Sequence, residues 1–463
     1  MRMFAAVLTS AFLSAGTVTA AAEPAWSPEP IGWGPCIDFP DGECGTLRVP
    51  LDWDRPRGAT VDLAVARHRA TDPAHRIGVL LVNPGGPGTS NAEFALTTTY
   101  FSPAVLARFD LVGFDMRGTG GSEFIRCPDP TGPRPSGEPV DRAEFDAFRA
   151  YDKQLIAGCR AQNSPIFDHA DTGTGARDMD AVRRALGERK ISYHGISYGT
   201  LLGQQYAEQF GDHVRAMVLD SNIDHSVDLR HFMVDRAAAA DDAFMAFVRW
   251  CDRTATCVLH GQDVLATWQR ALAAADLQPL SRNWLRDWVF GELYGPDYDY
   301  IARLIADTAA GQPPFSAQFE YNYDSVRLAT VCQDFALRIR DYRQYSALRA
   351  EELRRGPLML GGSLGHDEAV TCMGVSGPPV NPPHRLNIPH APTILLLNSL
   401  HDPATPYAWA LDIHRQAPRN TALVTYEGAG HAVYQRSACT RAYADDYLLA
   451  LTVPRPGARC PAA

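Results

Sequence analysis

The chain has 463 residues, of which 46% are hydrophobic and 21% are charged, and its formal net charge at pH 7 is −10. This length suits one large domain that carries an insertion, and the composition is ordinary for a folded protein rather than a disordered one. The acidic balance lacks the basic footprint of a nucleic-acid-binding protein, so we expect no nucleic-acid partner.

Residues 1–22 have the pattern of a secretory signal peptide. Arg2 supplies a positive charge, residues 3–13 form an apolar stretch, and the small residues at 19–22 resemble a cleavage site. The apolar stretch is too short to span a bilayer, and no later stretch is long and apolar enough to cross one. The sequence therefore predicts a secreted protein without a transmembrane segment.

The cysteine content agrees with export, because ten cysteines are an even number, as expected of a disulfide-bonded extracellular protein. The suggested pairs, the first two by proximity and the others to complete the set, are Cys36–Cys44, Cys251–Cys257, Cys127–Cys159, Cys332–Cys372 and Cys439–Cys460. Sequence alone leaves other connectivities open. A metal site is disfavoured, since the chain has no C-x-x-C pair and no Cys/His cluster with zinc spacing.

Several short apolar runs end in turn residues and are predicted to be strands. They lie at residues 78–83, 111–114, 191–194, 216–219, 393–397 and 421–426. Nearly continuous apolar runs of this length suit strands that are buried on both faces, as in a parallel sheet. Helical patterns at 178–186 and 201–210 alternate with these strands. The alternation predicts a doubly wound α/β sheet.

The middle of the chain differs from its flanks, because it is predicted to contain helices and loops and is rich in aromatic residues. An insertion that interrupts a sheet above its carboxyl edge is a natural lid, and most of its rings are expected to form the lid's own core. The predicted organisation is a signal peptide at 1–22, a first core part at 23–226, a lid at 227–389 and a second core part at 390–463.

The sequence Gly195-Ile196-Ser197-Tyr198-Gly199 carries the strongest chemical signal. It has the form G-x-S-x-G and lies directly between a predicted strand and a predicted helix. This is the setting of a nucleophile elbow, a tight turn that exposes the serine hydroxyl beside the partial positive charge of a helix N-terminus. We therefore predict Ser197 as the nucleophile of an α/β-hydrolase fold, with a mostly parallel doubly wound sheet and a largely helical lid insertion.

A serine hydroxyl needs a base, and in this fold the acid and then the histidine follow the serine along the chain. His431 ends the motif GAGH at 428–431, where a glycine-rich loop beyond a strand can bring its ring into a cleft. Asp402 also lies just beyond a strand, and its carboxylate would accept the Nδ1 proton of His431 and stabilise the imidazolium. The alternatives are a structural histidine and an aspartate that caps its own loop.

The oxyanion hole of such a site needs two backbone N–H donors. One is expected to be Tyr198, directly after the nucleophile, and the other lies in the glycine-rich loop at 85–88, where we choose Gly86. Pro84 and Pro87 have no N–H and would stiffen this loop. A phosphate-binding role is rejected, because no Lys or Ser/Thr stands at the spacing that a P-loop requires.

Motifs distributed along the chain match a known family. They are NPGGPG at 83–88, DMRGTGGS at 115–122, ARDMDAVRRALG at 176–187, GISYGT at 195–200, VCQD at 331–334, HDPATPYAWA at 401–410 and GAGH at 428–431. The sequence resembles the secreted tripeptidyl aminopeptidases of the α/β-hydrolase superfamily, which are related to the prolyl aminopeptidases. The resemblance spans nearly the whole mature chain, and Cys439 and Cys460 match the family's C-terminal region. It differs from the prolyl aminopeptidases proper, which usually carry His at Pro84 and Trp at Tyr198.

The resemblance implies hydrolysis of peptide bonds near a free N-terminus, by the triad Ser197, Asp402 and His431 and without a metal or organic cofactor. An exopeptidase of this kind also needs a carboxylate to bind the substrate ammonium. No motif places that group. The candidates in the lid segment are Glu320, Asp324 and Asp334.

Two other functions are compatible with the same residues. A secreted esterase or lipase would use the same triad, because esters and amides share this apparatus and only the pocket distinguishes them. The other is a non-catalytic binding protein on this fold, which the intact Ser197, Asp402 and His431 argue against. The expected substrate is therefore a peptide or a small ester.

Overall fold

The computed structural model describes residues 26–277, 281–312 and 325–462, so the predicted signal peptide at 1–22 lies outside the described residues. One sheet of ten strands is described, in the spatial order β1-β2-β3-β5-β4-β6-β7-β8-β9-β10. The strands are β1 (Gly34–Pro35), β2 (Gly42–Pro50), β3 (Thr60–His68), β4 (Gly78–Asn83), β5 (Phe109–Phe114), β6 (Ile191–Ile196), β7 (Val214–Asp220), β8 (Ile394–His401), β9 (Thr421–Ala429) and β10 (Arg459–Cys460).

The sheet is antiparallel at one end and parallel through the rest. β1, β2, β3 and β5 pair antiparallel in that order. From β5 through β4, β6, β7, β8 and β9 to β10, every neighbouring pair is parallel. All residues of β4, β5 and β6 are buried, as expected of strands that are covered on both faces. The predicted, mostly parallel α/β sheet is therefore confirmed.

Helices cover both faces of the sheet. The α-helices of the described chain are α1 (Asn91–Leu96), α2 (Pro103–Arg108), α3 (Arg142–Gln162), α4 (Thr172–Ala185), α5 (Tyr198–Phe210), α6 (Leu229–Arg253), α7 (Val264–Ala275), α8 (Arg282–Glu292), α9 (Tyr298–Ala309), α10 (Ser325–Asp334), α11 (Tyr342–Arg355), α12 (Leu364–Thr371), α13 (Tyr407–Gln416) and α14 (Ala438–Ala450). One hydrophobic core joins the sheet to α4, α5 and α13. A second core, on the opposite face, joins it to α1, α2 and α14. None of the helices in the described ranges combines the length and the apolar character needed to cross a membrane.

The start of α4 shows how a cap sets a helix boundary. The sequence pattern predicts a helix from residue 178, whereas α4 begins at Thr172. Asp171 precedes this first turn, and its side chain accepts a hydrogen bond of 2.9 Å from the N–H of Thr174. An aspartate at this position satisfies an N–H that has no partner within the helix, so the helix extends back to it.

The chain between β7 and β8, which we call the helical insertion, contains α6 to α12 and no strand among its described residues. Helices α6 to α9 pack around a core of their own that includes Phe244, Trp268 and Ile301, all of them fully buried. Most of the insertion's aromatic rings within the described ranges belong to this core, as expected. The predicted lid boundaries at 227 and 389 fall in the connections that precede α6 and β8.

The five disulfides are the pairs suggested from the sequence, Cys36–Cys44, Cys127–Cys159, Cys251–Cys257, Cys332–Cys372 and Cys439–Cys460. Two of them tie segments that no strand pairing joins: Cys332–Cys372 links α10 to the turn after α12, and Cys439–Cys460 links α14 to β10. Each closes a loop of the unfolded chain and typically stabilises a fold by about 2–4 kcal/mol.

A buried ion pair joins the loop after β5 to α4. Arg117 donates from Nε and Nη2 to the two carboxylate oxygens of Asp178, at 2.6 and 2.8 Å, and both side chains are almost fully buried. The remaining donors of Arg117 reach the carbonyl oxygens of Pro50, at 2.7 Å, and Leu51. Trp53 donates its indole N–H to Asp178 at 2.9 Å. One guanidinium therefore links β2, the loop after β5 and α4.

Arg117→Ala should lower the free energy of unfolding by about 3–5 kcal/mol, because it leaves the Asp178 carboxylate buried without its counter-ion. Urea denaturation followed by tryptophan fluorescence measures this change. The control is Arg142→Ala, which removes an ion pair whose side chains are 82% and 57% exposed and should cost far less. Equal losses in the two variants would contradict a structural role for the buried pair.

Candidate active site

The three residues of the predicted triad lie at one edge of the sheet. β6, β7, β8 and β9 are parallel neighbours, so their carboxyl ends lie side by side. Ser197 directly follows β6, Asp402 directly follows β8, and His431 stands two residues beyond the end of β9. The topology thus places residues that are more than two hundred positions apart along one row.

Ser197 occupies a tight turn between β6 and α5. Its backbone has φ 54° and ψ −119°, and its N–H donates to the carbonyl oxygen of Asp220 on β7 at 2.9 Å. The glycines of the motif are required by close packing. A Cβ at Gly195 would lie 2.4 Å from the carbonyl oxygen of Gly199, and one at Gly199 would lie 2.9 Å from that of Asn83. This strained turn presents the serine at the N-terminus of α5.

Asp402 and His431 are hydrogen-bonded. Both carboxylate oxygens lie 3.0 Å from Nδ1 of His431, and Asp402 is 1% exposed. The N–H groups of Ala404 and Thr405 donate to Oδ1 at 2.9 Å, and the hydroxyl of Thr405 donates to Oδ2 at 2.9 Å. Since the ionised carboxylate can only accept, Nδ1 carries the proton, and a neutral His431 would have Nε2 as an acceptor.

Burial alone would raise the pKa of Asp402. The charge and hydrogen bond of His431, together with the two backbone N–H groups, outweigh this effect and hold the pKa below its ordinary value. The carboxylate is therefore ionised at neutral pH. Thr405 was not predicted as a site residue, although its position three residues after Asp402 is typical of a side chain that supports a loop aspartate.

The nucleophile and the histidine are not hydrogen-bonded to each other. Nε2 of His431 is buried and has no hydrogen-bond partner among the residues that the structure describes. Catalytic hydrogen bonds are often long in enzymes without substrate and tighten in the complex. The structure thus forms the Asp–His contact, and a catalytic role for Ser197 would require its hydroxyl to reach Nε2 of His431.

The helical insertion contacts the histidine directly. Tyr294, in the turn after α8, accepts the N–H of His431 with its carbonyl oxygen at 2.8 Å, and the two rings lie 5.1 Å apart at 65°. Nη2 of Arg436 donates to the carbonyl oxygens of Tyr294, at 2.6 Å, and His431, at 2.9 Å. The loop that carries His431 is therefore held by the insertion on this side. No sequence pattern indicated this contact.

The glycine-rich loop after β4 packs against the elbow. Gly85 and Gly86 have φ values of 104° and 109°, and the N–H of Gly85 donates to the side chain of Asn83 at 2.8 Å. The N–H of Gly86 has no hydrogen-bond partner within the described ranges. From the insertion, Arg327 donates to the carbonyl oxygen of Gly86 at 3.4 Å. Of the two glycines, Gly86 therefore has the N–H that could hold an oxyanion.

The side chain of Tyr198 points away from the elbow into a buried network. Its hydroxyl lies 2.6 Å from that of Thr172, the first residue of α4. Asp334, at the end of α10, accepts from the N–H and hydroxyl of Thr172 and from Asn381. Burial, with the nearby charge of Asp171, raises the pKa of Asp334 to about 7. This network joins the insertion to the core.

The network bears on the candidates for the substrate ammonium. Asp334 is fully buried and both of its oxygens are hydrogen-bonded, so it is badly placed to receive a substrate. Glu320 and Asp324 lie outside the described residues. Among the residues that are described, no group of three or more His, Cys, Asp or Glu side chains could hold a metal ion.

A parallel sheet with a strained serine turn and a hydrogen-bonded Asp–His pair at its carboxyl edge defines a class of hydrolases. A family model for the α/β-hydrolase fold matches residues 78–435, from β4 to the loop beyond His431. The chain belongs to the α/β-hydrolase fold family and is a serine hydrolase of that fold.

Within this family the chain is similar to both peptidases and an esterase. It is 33% identical to the serine protease Hip1 of Mycobacterium tuberculosis, over 93% of this chain and 91% of that protein. It is 31% identical to tripeptidyl aminopeptidase of Streptomyces lividans, over 88% of this chain and 81% of that protein. It is also 31% identical to carboxylesterase B of Mycobacterium tuberculosis, over 92% and 89%. The predicted relationship to the tripeptidyl aminopeptidases is confirmed.

Gly85→Ala should destabilise the elbow, because its new Cβ would lie 2.9 Å from the Ile196 carbonyl oxygen and from Cβ of Ser197. The control is Gly132→Ala, where φ is 99° and the added Cβ would meet no atom within 4 Å. The control shares the backbone strain and lacks the contact. We expect Gly85→Ala to lower the free energy of unfolding by about 1–3 kcal/mol more than the control, measured by urea denaturation. Equal losses would contradict the tight packing of this loop.

Proposed function

We propose that this protein is a secreted serine peptidase that cleaves peptide bonds near a free N-terminus, with Ser197 as nucleophile, His431 as base and Asp402 as the orienting acid. The observation that carries the proposal is the hydrogen-bonded pair of Asp402 and His431 at the sheet edge that also presents Ser197 in a strained turn. The peptidase assignment draws on the similarity to tripeptidyl aminopeptidase and to Hip1.

In the proposed reaction, Nε2 of His431 accepts the proton of Ser197 as the hydroxyl oxygen attacks the substrate carbonyl carbon. Asp402 holds the other ring nitrogen and stabilises the imidazolium. The N–H groups of Gly86 and Tyr198 donate to the oxyanion of the tetrahedral intermediate. His431 then protonates the leaving amine as the C–N bond breaks, and an acyl-enzyme remains.

Water completes the cycle. His431 removes a proton from the water as its oxygen attacks the acyl-enzyme, and it returns that proton to the oxygen of Ser197 as the ester bond breaks. Every step uses side chains and backbone amides of this chain. Export fits the same proposal, because the signal-peptide pattern at 1–22 agrees with five disulfides, which persist in oxidising compartments.

An esterase is the second candidate, because carboxylesterase B of Mycobacterium tuberculosis aligns along nearly the whole chain. The proposed steps apply to an ester with an alcohol as leaving group. The two functions differ only in the pocket that receives the substrate.

Ser197→Ala should abolish turnover while leaving the fold intact, with a fall in kcat of about 10⁴–10⁶-fold. The matched control is Ser192→Ala, a buried serine on β6, the strand that leads into Ser197, and this variant should retain activity. Mass spectrometry after treatment with a fluorophosphonate should find the label on Ser197 of the wild type and of the control. Full turnover by Ser197→Ala, or a label elsewhere, would refute the assignment.

The peptidase and esterase functions are separated by matched reporter substrates. A tripeptide reporter with a free N-terminus should be cleaved efficiently, and its N-acetylated form should lose most of kcat/KM, because the carboxylate that an exopeptidase needs for the substrate ammonium would be left unpaired. Acyl-ester reporters of similar size provide the comparison. Equal rates on the free and acetylated peptides, with faster ester cleavage, would favour the esterase.

A further inference from the structure

The chain turns back toward β7 directly after His431. Three successive backbone N–H groups, those of Ala432, Val433 and Tyr434, point at the end of this strand. Ala432 donates to the hydroxyl of Ser221, Val433 donates to Oδ1 of Asp220, and Tyr434 donates to Oδ2 of Asp220, each at 2.8 Å. Two adjacent side chains thus capture the whole backbone segment that follows the base.

Asp220 also contacts the nucleophile. Its carbonyl oxygen accepts the N–H of Ser197 at 2.9 Å, and its side chain is fully buried. The end of β7 is itself fixed to β8, because Ser221 donates its N–H to the carbonyl oxygen of Leu397 at 2.9 Å. One residue therefore bonds the serine turn through its backbone and the histidine loop through its side chain.

Backbone strain concentrates at these contacts. Ser197, Ser221 and Ala432 have φ values of 54°, 62° and 63°, a region that residues with side chains seldom occupy. Strained residues of this kind persist only where the surrounding structure holds them. The hydrogen bonds of Asp220 and Ser221 supply that restraint. Ser197 donates its N–H to the carbonyl oxygen of Asp220, and Ala432 donates its N–H to the hydroxyl of Ser221.

The ionisation state of Asp220 is compatible with its role as an acceptor for the two N–H groups. Burial raises its pKa to about 6, against the lowering effect of the two N–H groups and of the His431 charge. The carboxylate is thus largely ionised at neutral pH. Its negative charge acts on His431 from the side of β7, in addition to that of Asp402.

We propose that Asp220 is a positioning residue for the acyl transfer, which sets the separation of base and nucleophile by holding the loop of His431 and the amide of Ser197 at once. This inference rests on the proposed function, because it assigns Asp220 to the same pair of reacting groups. Asp220 is bonded to the backbone N–H groups of Ser197, Val433 and Tyr434 rather than to the Ser197 hydroxyl or the imidazole, so its effect is on the alignment of Ser197 and His431.

The helical insertion provides a matched control. Asp241 on α6 is also buried, and its two oxygens accept the N–H groups of Leu358 at 3.0 Å and Met359 at 2.7 Å. Burial raises its pKa to about 6 as well. Asp241 therefore makes the same kind of contact with two successive amides, in a part of the fold that carries none of the triad.

The test compares Asp220→Asn with Asp241→Asn. Asparagine keeps the size of the side chain, but its NH₂ group faces a backbone N–H where an acceptor stood, so each variant loses one hydrogen bond. We expect similar falls in thermal stability in both. Only Asp220→Asn should lower kcat, by about 10–100-fold with KM changed less than twofold, because small displacements of reacting groups cost rates of this order. Its rate of fluorophosphonate labelling at Ser197 should fall in parallel.

Ser221→Ala serves as a second variant if Asp220→Asn does not fold, since it removes the acceptor for Ala432 and a long hydrogen bond of 3.5 Å to Oδ1 of Asp220, and leaves the carboxylate in place. A fall in kcat of about 3–10-fold at constant KM would support the inference. Wild-type turnover with normal labelling in Asp220→Asn, or in Ser221→Ala when that variant is the one tested, would overturn it. So would a loss that appears in KM alone. Failure of the fluorophosphonate to label the wild type would instead overturn the proposed function, and this inference with it.

Discussion

The parallel pairing of β6, β7, β8 and β9 is the constraint on which the site depends. Because these strands run side by side in one direction, the chain segments that leave their carboxyl ends emerge as neighbours. Ser197, Asp220, Asp402 and His431 each lie at or just beyond one of these ends. Long stretches of sequence, including the whole helical insertion, separate them without disturbing this order. Short loops at the carboxyl edge of a rigid sheet are therefore enough to bring these four residues together.

Close packing and hydrogen bonds then fix the positions of the loops that leave this edge of the sheet. Glycines bring β6, α5 and the loop after β4 to distances that a side chain would block. Asp402 orients the imidazole through Nδ1, and the carboxylate of Asp220 restrains the backbone that follows the ring. The loop after β5 is fixed separately, by the buried Arg117 and Asp178 pair. The loop of His431 and the loop after β5 are therefore each held by a buried polar partner.

Much of this edge could be predicted from the sequence, because β4 is a nearly continuous apolar run and the elbow after β6 has a fixed local pattern. β2 and β3 were missed, since they alternate buried and solvent-facing residues, as Val61, Asp62 and Leu63 show, and a search for continuous runs does not detect alternation. The contacts of His431 with Tyr294 and of Asp220 with Val433 were beyond reach for another reason. They join residues more than a hundred positions apart, and in each contact at least one partner is a backbone group, which leaves no side-chain signature.

Tyr294 accepts the backbone N–H of His431, and Arg436 donates to the carbonyl oxygens of both residues. These contacts affect how the substrate specificity of such enzymes can change. A helical insertion that only covered the cleft could be exchanged as a unit between homologues, and its substrate selectivity would be transferred with it. Here the helical insertion also holds the loop of His431, so replacing the insertion with that of a homologue would change the position of this residue together with the substrate preference. New substrate specificities in this family should then arise through single substitutions of residues that line the pocket, while the turn around Tyr294 is retained.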